Sequence, residues 1–200
     1  MSKISVLLDT SFLISLANAS RQNHAIAKAY YKYMLENKIA IHFSTIAASE
    51  FSIKQPITEL PLRTFIALPF NIGHATESAK LWNYITRDPG DARHVIRDDM
   101  KLIGQASKEG INFILTEDAH TLYKYCERLR LDGLSCPRAI KLIDGFDISK
   151  LNADGQVDIS SVLEVPLSMS DTHGESISRA IPSELVKGGH LLPSSDAERT

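Results

Sequence analysis

The sequence predicts an α/β protein in which a mostly parallel β-sheet is flanked by helices. Short runs of β-branched and leucine residues alternate along the chain with longer segments of helical character, and this alternation is typical of layered α/β domains. Two of the short runs, residues 4–8 and 112–116, carry consecutive apolar residues, as expected of strands that are buried on both faces. Hydrophobic residues make up 44% of the 200 residues, which is enough for a packed core.

The first third of the chain contains two of the expected strands and the start of three helices. Residues 9–11 (Asp-Thr-Ser) follow the first strand and are residue types that cap helices. Residues 23–37 are rich in Ala, Lys, Tyr and Leu, which favours a second helix. Residues 38–43 have the composition of a strand. Ser44 or Thr45 is the expected cap of the next helix.

The remaining elements are separated by turns that contain proline or glycine. A short strand is expected at residues 65–70 and a helix at residues 75–86. A further helix at residues 97–109 ends at Gly110, which is the residue type that most often follows a helix. The domain is then expected to close with a helix at residues 122–131 and a strand at residues 139–143.

The composition of the chain changes beyond Gly145, where Asp, Gly, Ser and Pro become frequent and no sustained period is visible. We therefore expect a folded domain at residues 1–146 and an acidic, flexible extension at residues 147–200. The first part has 18 basic and 15 acidic residues, and the second part has 4 and 9. The formal net charge of −2 thus conceals a mildly basic domain.

The two cysteines, Cys126 and Cys136, lack the paired spacing of a zinc or redox site, which favours a reduced, cytoplasmic protein. The apolar run at residues 4–8 is interrupted by Asp9 before it could act as the core of a signal peptide. No stretch approaches the length of a membrane span, so no membrane association is expected.

Four acidic residues stand out by their positions. Asp9 directly follows the first strand and Asp118 follows the strand at residues 112–116, and ligands of open α/β sheets bind outside the carboxyl ends of the strands. Glu50 has the helical phase of Ile46 and Ile53. Asp99 has the phase of the apolar residues that follow it, at what is expected to be the beginning of its helix.

Partly buried carboxylates that converge repel one another and raise their own proton affinity unless a cation is present. Hard oxygen ligands favour Mg²⁺ or Mn²⁺. Such a metal site is suited to phosphodiester cleavage, because the metal can supply the attacking hydroxide and stabilise the leaving oxygen. Taken singly, Asp9 and Asp118 could each be helix caps, and Glu50 and Asp99 could each be partners in a structural salt bridge.

The four acids lie in segments that resemble the successive acidic motifs of PIN domains. These segments are LLDTSFL around Asp9, ASE ending at Glu50, RDDMKLIGQA around Asp99 and ILTED ending at Asp118. The similarity covers roughly residues 3–146 and is greatest to the VapC-like ribonuclease toxins. It implies a three-layer sandwich, Mg²⁺ or Mn²⁺ as cofactor, and endonucleolytic cleavage of RNA. It also implies a homodimer, and either a toxin with a small antitoxin as partner or an RNA-processing enzyme without one.

Carried over residue by residue, the resemblance makes Asp9, Asp99 and Asp118 metal ligands and gives Glu50 the role of holding metal and water. Thr10 and Thr116 correspond to hydroxyl residues that support these acids. Asp98 competes with Asp99 for the third position, but its phase is more outward, and a helix cap is the alternative expectation for it. Glu117 stands where the family frequently has Arg, which makes this rim more acidic.

A locally basic segment near residues 124–141 includes Lys124, Arg128 and Arg130. Its default interpretation is a solvated helix face, and the alternative is a surface that follows an RNA backbone. Two other functions remain as alternatives. One is a PIN-fold module that binds RNA or protein without cleaving it. The other, a phosphotransfer enzyme, is disfavoured because residues 9–11 lack the second Asp of a D-x-D pattern.

Overall fold

The computed structural model of the chain describes residues 4–152, which form one parallel β-sheet and the helices around it. The strands are Ser5–Leu8 (β1), Ala40–Ser44 (β2), Ile66–Leu68 (β3), Phe113–Thr116 (β4) and Arg138–Lys141 (β5). The α-helices are Thr10–Ala17 (α1), His24–Glu36 (α2), Thr45–Lys54 (α3), Ile72–Trp82 (α4), Arg93–Lys108 (α5) and Leu122–Leu131 (α6). Short 3₁₀ turns occur at Ile57–Glu59, Leu62–Thr64, Leu142–Asp144 and Ile148–Leu151.

The sheet has the strand order β3-β2-β1-β4-β5, and every pair of neighbouring strands is parallel. In the central strand β1, Val6 pairs with Ile41 on one side and with Phe113 on the other. Because β1 and β4 are adjacent, the residues that follow them emerge side by side at the carboxyl edge of the sheet. The prediction of an α/β fold with a mostly parallel sheet is confirmed.

Side chains of the sheet alternate between two apolar cores. Val6 and Leu8 of β1 belong to a core that includes Phe12 of α1 and Phe51 of α3. Leu7 belongs to a second core, which contains buried residues of α4, α5 and α6. The sheet is therefore the middle layer of a sandwich, as predicted, with α1 to α3 on one face and α4 to α6 on the other.

Two helices begin earlier than the sequence predicts. Helix α4 begins at Ile72 rather than residue 75, because Asn71 and His74 form a reciprocal cap in which each side chain accepts a backbone N–H of the other. Helix α5 begins at Arg93 rather than residue 97, and its capping residue, Ala92, makes no side-chain capping hydrogen bond. Without a polar cap, the sequence has no signal for that start.

The packed structure continues slightly beyond residue 146. The hydroxyl of Tyr30 donates to the carbonyl oxygen of Gly145 at 3.2 Å and accepts from the amide of Asp147 at 3.2 Å. Leu151 is 1% exposed and belongs to the core on the α1 to α3 side. The division into residues 1–146 and 147–200 stays a prediction, and most of the expected extension, residues 153–200, lies outside the described residues.

None of the helices found within residues 4–152 combines the length and the apolar character that crossing a membrane requires.

Gly104 allows α4 and α5 to pack closely. A Cβ atom at this position would collide with the Oγ atom of Ser78 and would lie only 2.6 Å from the Cα atom of the same residue. We therefore expect Gly104→Ala to lower the free energy of unfolding by about 1 to 3 kcal/mol, because the added methyl group meets backbone and forces the two helices apart. Chemical denaturation measures this loss.

Gly73→Ala is the comparison variant, because its added Cβ would meet only side-chain atoms, the nearest being Asn71 Oδ1 at 3.2 Å, and no backbone of another helix. It should therefore lower the free energy of unfolding by less than Gly104→Ala does. Equal stability of Gly104→Ala and the unmodified protein would contradict the close packing.

Candidate active site

The four acidic residues singled out in the sequence are placed by two strand ends and two helices. Asp9 and Asp118 follow the adjacent strands β1 and β4, and the amide of Asp9 donates to the carbonyl oxygen of Leu115 at 3.1 Å. Glu50 is carried by α3 and Asp99 by α5, so the helical layers on both faces of the sheet each contribute one acid.

Asp9 is buried and held by two hydroxyl groups. Its Oδ2 atom accepts hydrogen bonds from Ser11 Oγ at 2.5 Å and from Thr116 Oγ1 at 2.8 Å. As the N-cap of α1 it also accepts from the amide of Ser11. Burial raises the pKa of Asp9, although these hydrogen bonds oppose the shift. The side chain is thus both a helix cap and a fixed, buried carboxylate.

Glu50 is oriented by Thr10, whose Oγ1 donates to Glu50 Oε2 at 2.5 Å. This contact joins α3 to the first residue of α1, directly beside Asp9. The expectation that Glu50 shares a buried stripe with Ile46 and Ile53 is wrong in part, because Ile53 is 79% exposed. Helix α3 buries only Ala47 and Phe51, so the apolar face is narrower than the spacing suggested.

Asp99 is partly buried and, among the described residues, lacks a full set of hydrogen-bond partners. Its Oδ2 atom is buried and has no hydrogen-bond partner among residues 4–152. Burial raises its pKa to about 8, and the negative charges of Asp9, Asp118 and Glu50 add to that shift. All three other acids therefore act electrostatically on Asp99.

Asp98 has a different environment from its neighbour. Its Oδ1 atom lies 2.7 Å from Lys101 Nζ and 3.8 Å from Arg97 Nε, and its side chain is 36% exposed. The expectation that Asp98 caps the helix is wrong, because α5 begins five residues earlier, at Arg93. Asp98 is a surface ion-pair partner, whereas Asp99, one residue later, faces the other acids.

The side chain of Asp118 caps the turn that leads into α6. Its Oδ1 atom accepts from the amides of His120 and Thr121, and its Oδ2 atom accepts from Thr121 Oγ1. Burial alone would raise the pKa of Asp118, but these hydrogen bonds outweigh it and leave the pKa below its usual value. Asp118 is therefore ionised under conditions in which Asp99 is protonated.

We call Asp9, Glu50, Asp99 and Asp118 the acidic cluster. Among residues 4–152, no Lys, Arg or His forms a salt bridge with any of these four side chains, although other acids of the domain have such partners. Within the same residues, no three Asp, Glu, His or Cys side chains are arranged so as to hold a metal ion between them. The cluster is electrostatically coupled and uncompensated, and the metal-ligand roles of its members stay predictions.

The negative charge of Glu117 is balanced by a basic partner, in contrast to the charges of the acidic cluster. Its Oε2 atom lies 2.5 Å from Arg21 Nη2, and its Oε1 atom accepts from Ser15 Oγ and from Asn23 Nδ2. Burial would raise its pKa, yet these contacts lower it overall. The expectation of a more acidic rim is wrong to that extent, because an arginine from the α1–α2 turn balances the charge.

The basic residues of α6, for which RNA contact is the alternative to a solvated helix face, all have acidic partners. Lys124 bridges Asp88 and Asp91, and Arg128 forms two hydrogen bonds to Asp88, at 2.8 and 2.7 Å. Arg130 pairs with Glu127 on its own helix. Their assignment to RNA binding stays a prediction. The ion pairs of Lys124 and Arg128 connect residues 88–91 to α6.

Sequence reasoning did not assign Ser11 or Thr121 to the site. Ser11 holds Asp9 and also accepts from the amide of Glu117 at 2.8 Å, so one hydroxyl joins the ends of β1 and β4. Thr121 holds Asp118. The sequence does contain a signal for this turn, because an Asp side chain commonly accepts from the backbone amide two residues on, here that of His120. The role of Ser11 could not be predicted without knowing that β1 and β4 are neighbouring strands.

The fold and the site together define an α/β protein with an uncompensated acidic cluster at the carboxyl edge of a parallel sheet. No family model and no curated protein matches the sequence. The structure is similar to that of VapBC2 from Rickettsia felis bound to a DNA fragment from its promoter, at 10% identity and a TM-score of 0.48, over 69% of this chain and 98% of that one.

Two further solved structures are similar to the chain. DNA-bound VapBC from Salmonella typhimurium matches at 14% identity and a TM-score of 0.43, over 70% of this chain and 98% of that one. VapC20 of Mycobacterium tuberculosis, described as a sarcin-ricin loop cleaving toxin, matches at 17% identity and a TM-score of 0.42, over 56% and 89% of the two chains.

Proposed function

We propose that this protein is a metal-dependent endoribonuclease whose active site is the acidic cluster. One observation carries the proposal. A buried carboxylate oxygen of Asp99 has no partner within the described residues, while three other acids act on it and no basic side chain there compensates them. Uncompensated buried acids are costly to a fold, and they are retained where a cation binds.

The donor set fits Mg²⁺ or Mn²⁺, because every candidate ligand is a carboxylate oxygen. Asp9, Asp99 and Asp118 would hold the ion and Glu50 would orient it and a water molecule. The three carboxylates would have to draw closer to do so, because within residues 4–152 no three of them are arranged around a common ion position. When bound, such an ion supplies Lewis acidity for phosphodiester hydrolysis. The resemblance of the four motifs to those of PIN domains supports RNA as the substrate.

The chain's own residues determine how the acids are presented. Ser11 and Thr116 fix the carboxylate of Asp9, and Thr10 fixes Glu50. Because the pKa of Asp99 is raised to about 8, its carboxyl group holds a proton at neutral pH in the absence of a cation. A cation that binds there displaces this proton, so its affinity should rise with pH.

The cellular role that the motif resemblance supports is that of a toxin neutralised by a small antitoxin protein. We include a cytoplasmic location and a homodimer in the same proposal. Expression of the chain alone should arrest growth, and co-expression of a small protein encoded beside it should restore growth. Unimpaired growth during expression of an active nuclease would favour an RNA-processing role instead.

The direct test of the proposed chemistry is RNA cleavage by the purified protein. A mixed-sequence single-stranded RNA should be cut internally when Mg²⁺ or Mn²⁺ is present, and the activity should vanish on addition of EDTA and return with excess metal. The same sequence made as DNA is the control for substrate class. Cleavage that is undiminished by EDTA would contradict the proposal.

A second candidate, a PIN-fold module that binds RNA without cleaving it, is favoured by the state of Asp118. Both oxygen atoms of this carboxylate accept hydrogen bonds from residues 120–122, as in a structural helix cap. A protein that binds the RNA and leaves it intact at every metal concentration would support this candidate over the nuclease.

A further inference from the structure

The carboxylate of Glu117 fixes the α1–α2 turn at the carboxyl edge of the sheet. Glu117 directly follows the last residue of β4 and precedes Asp118. Ser15 and Asn23 donate to its Oε1 atom, and Arg21 donates to its Oε2 atom. The Glu117 side chain is only 13% exposed. Three residues of the α1–α2 region therefore meet the carboxylate that adjoins the acidic cluster.

Arg21 is held in this arrangement by one edge of its guanidinium group. Only its Nη2 atom bonds to Glu117, and no other hydrogen bond of its side chain is formed with residues 4–152. The side chain is 47% exposed. A guanidinium group has five N–H donors, so Arg21 presents further donors to solvent while Glu117 restricts its orientation.

A cluster of four carboxylates needs cations close by if it is to accept a phosphodiester, since unshielded acids repel phosphate. Lys124 and Arg128 are each committed to two hydrogen bonds with Asp88 or Asp91. Arg21, in contrast, is bound through a single donor atom beside the residue that precedes Asp118. It therefore has both the position and the spare donors for an incoming anion.

We propose that Arg21, oriented by Glu117, contacts a phosphate group of the RNA next to the acidic cluster. This inference rests on the proposed function, because it assigns a substrate contact to the same site. Glu117 fixes the direction of the guanidinium group, so that less conformational freedom is lost when the phosphate binds. An arginine that keeps one bond to Glu117 can still form a two-donor contact with a phosphate.

The test compares RNA affinity in the Asp99→Asn background, in which cleavage does not interfere. Binding of a labelled single-stranded RNA is followed by fluorescence anisotropy at several salt concentrations. Adding Arg21→Met should weaken binding about 10-fold at low salt. It should also reduce the slope of log affinity against log salt by about 0.7, which corresponds to the loss of one phosphate contact.

Arg63→Met is the matched control. Arg63 is an exposed arginine of the 3₁₀ turn that precedes β3, so it lies at the opposite, amino edge of the parallel sheet. Its removal changes the net charge equally and should leave the slope unchanged. Arg21→Lys keeps the charge without the planar group and should restore the slope, with an affinity between that of the parent protein and that of the Arg21→Met variant.

Each outcome bears on the proposal. Equal affinities and slopes for Arg21→Met and Arg63→Met would overturn the contact while leaving the nuclease assignment intact. If Arg21→Met weakens binding and Arg21→Lys does not restore the slope of log affinity against log salt, the loss comes from displacement of the α1–α2 turn. That result would also overturn the proposed contact. Failure of the unmodified protein both to bind and to cleave RNA would overturn the proposed function itself. Thermal unfolding of each variant separates these results from misfolding.

Discussion

Replacing Asp99 by asparagine is expected to abolish metal-dependent RNA cleavage, with a rate lower by about 10³-fold or more. The substitution keeps the shape of the side chain and removes a charge on which the other three acids of the cluster act. Without that charge, the cluster loses both a ligand and part of its attraction for a cation. Single-turnover cleavage of a labelled RNA, with metal in excess, measures the effect.

Asp98→Asn is the matched control for this substitution. It removes the same charge one residue earlier, from a side chain that pairs with Lys101 at the surface. Its cleavage rate should stay within a few-fold of the unmodified rate, since a surface ion pair contributes at most about 1 kcal/mol. Full activity in Asp99→Asn together with inactivity in Asp98→Asn would reverse the assignment made from helical phase.

The sheet could be predicted from the sequence because its strands have local signals. Buried parallel strands are short apolar runs, and their alternation with helices determines the layer arrangement. The starts of α4 and α5 were misplaced for different local reasons. The cap of α4 pairs Asn71 with a histidine instead of the usual acid or amide, and α5 begins after an alanine.

The acidic cluster could be predicted in part for the same topological reason. Asp9 and Asp118 follow strands, and strand ends meet at one edge of a parallel sheet. The choice of Asp99 over Asp98 agrees with their environments, since only Asp98 has basic partners within the described residues. Helical phase predicts the environment of Glu50 less well, because Ile53, which shares its phase, is exposed.

The contacts that join the ends of β1 and β4 could not be predicted, because they link residues that are far apart in sequence. Ser11 reaches Thr116 and Glu117 across the gap between β1 and β4. Glu117 likewise finds Arg21 almost a hundred positions away along the chain. From the sequence alone, Glu117 counts as an added negative charge. The arginine that balances this charge is found only in the tertiary structure.

The stability of the metal-free protein is expected to fall as pH rises from about 4 to about 8. The pKa of Asp99 is raised from 3.8 to about 8 by burial and by the neighbouring acids. A carboxyl group with a higher pKa in the folded protein binds its proton more tightly there than in the unfolded chain. Its contribution is therefore fully present below pH 4 and is lost as pH approaches 8.

The magnitude of this loss is on the order of 5 kcal/mol, from the energy equivalent of the pKa difference. Urea denaturation in EDTA across this pH range measures it, with Asp99→Asn as the reference. The variant cannot ionise at this position, while groups with lowered pKa values, such as Asp88 and Asp118, are common to both proteins. The stability of the unmodified protein minus that of the variant should therefore decrease steadily as pH rises.

Mg²⁺ or Mn²⁺ should reverse the loss, because a bound cation stabilises the ionised form of Asp99 that the metal-free fold disfavours. The increase in melting temperature caused by the metal should be larger at pH 8 than at pH 6, since protons and metal compete for the same carboxylate. Asp99→Asn should show a much smaller increase at both pH values. A pH-independent stability difference together with no metal effect on the unmodified protein would mean that Asp99 is not an ionisable member of a cation site, and the nuclease assignment would lose its main support.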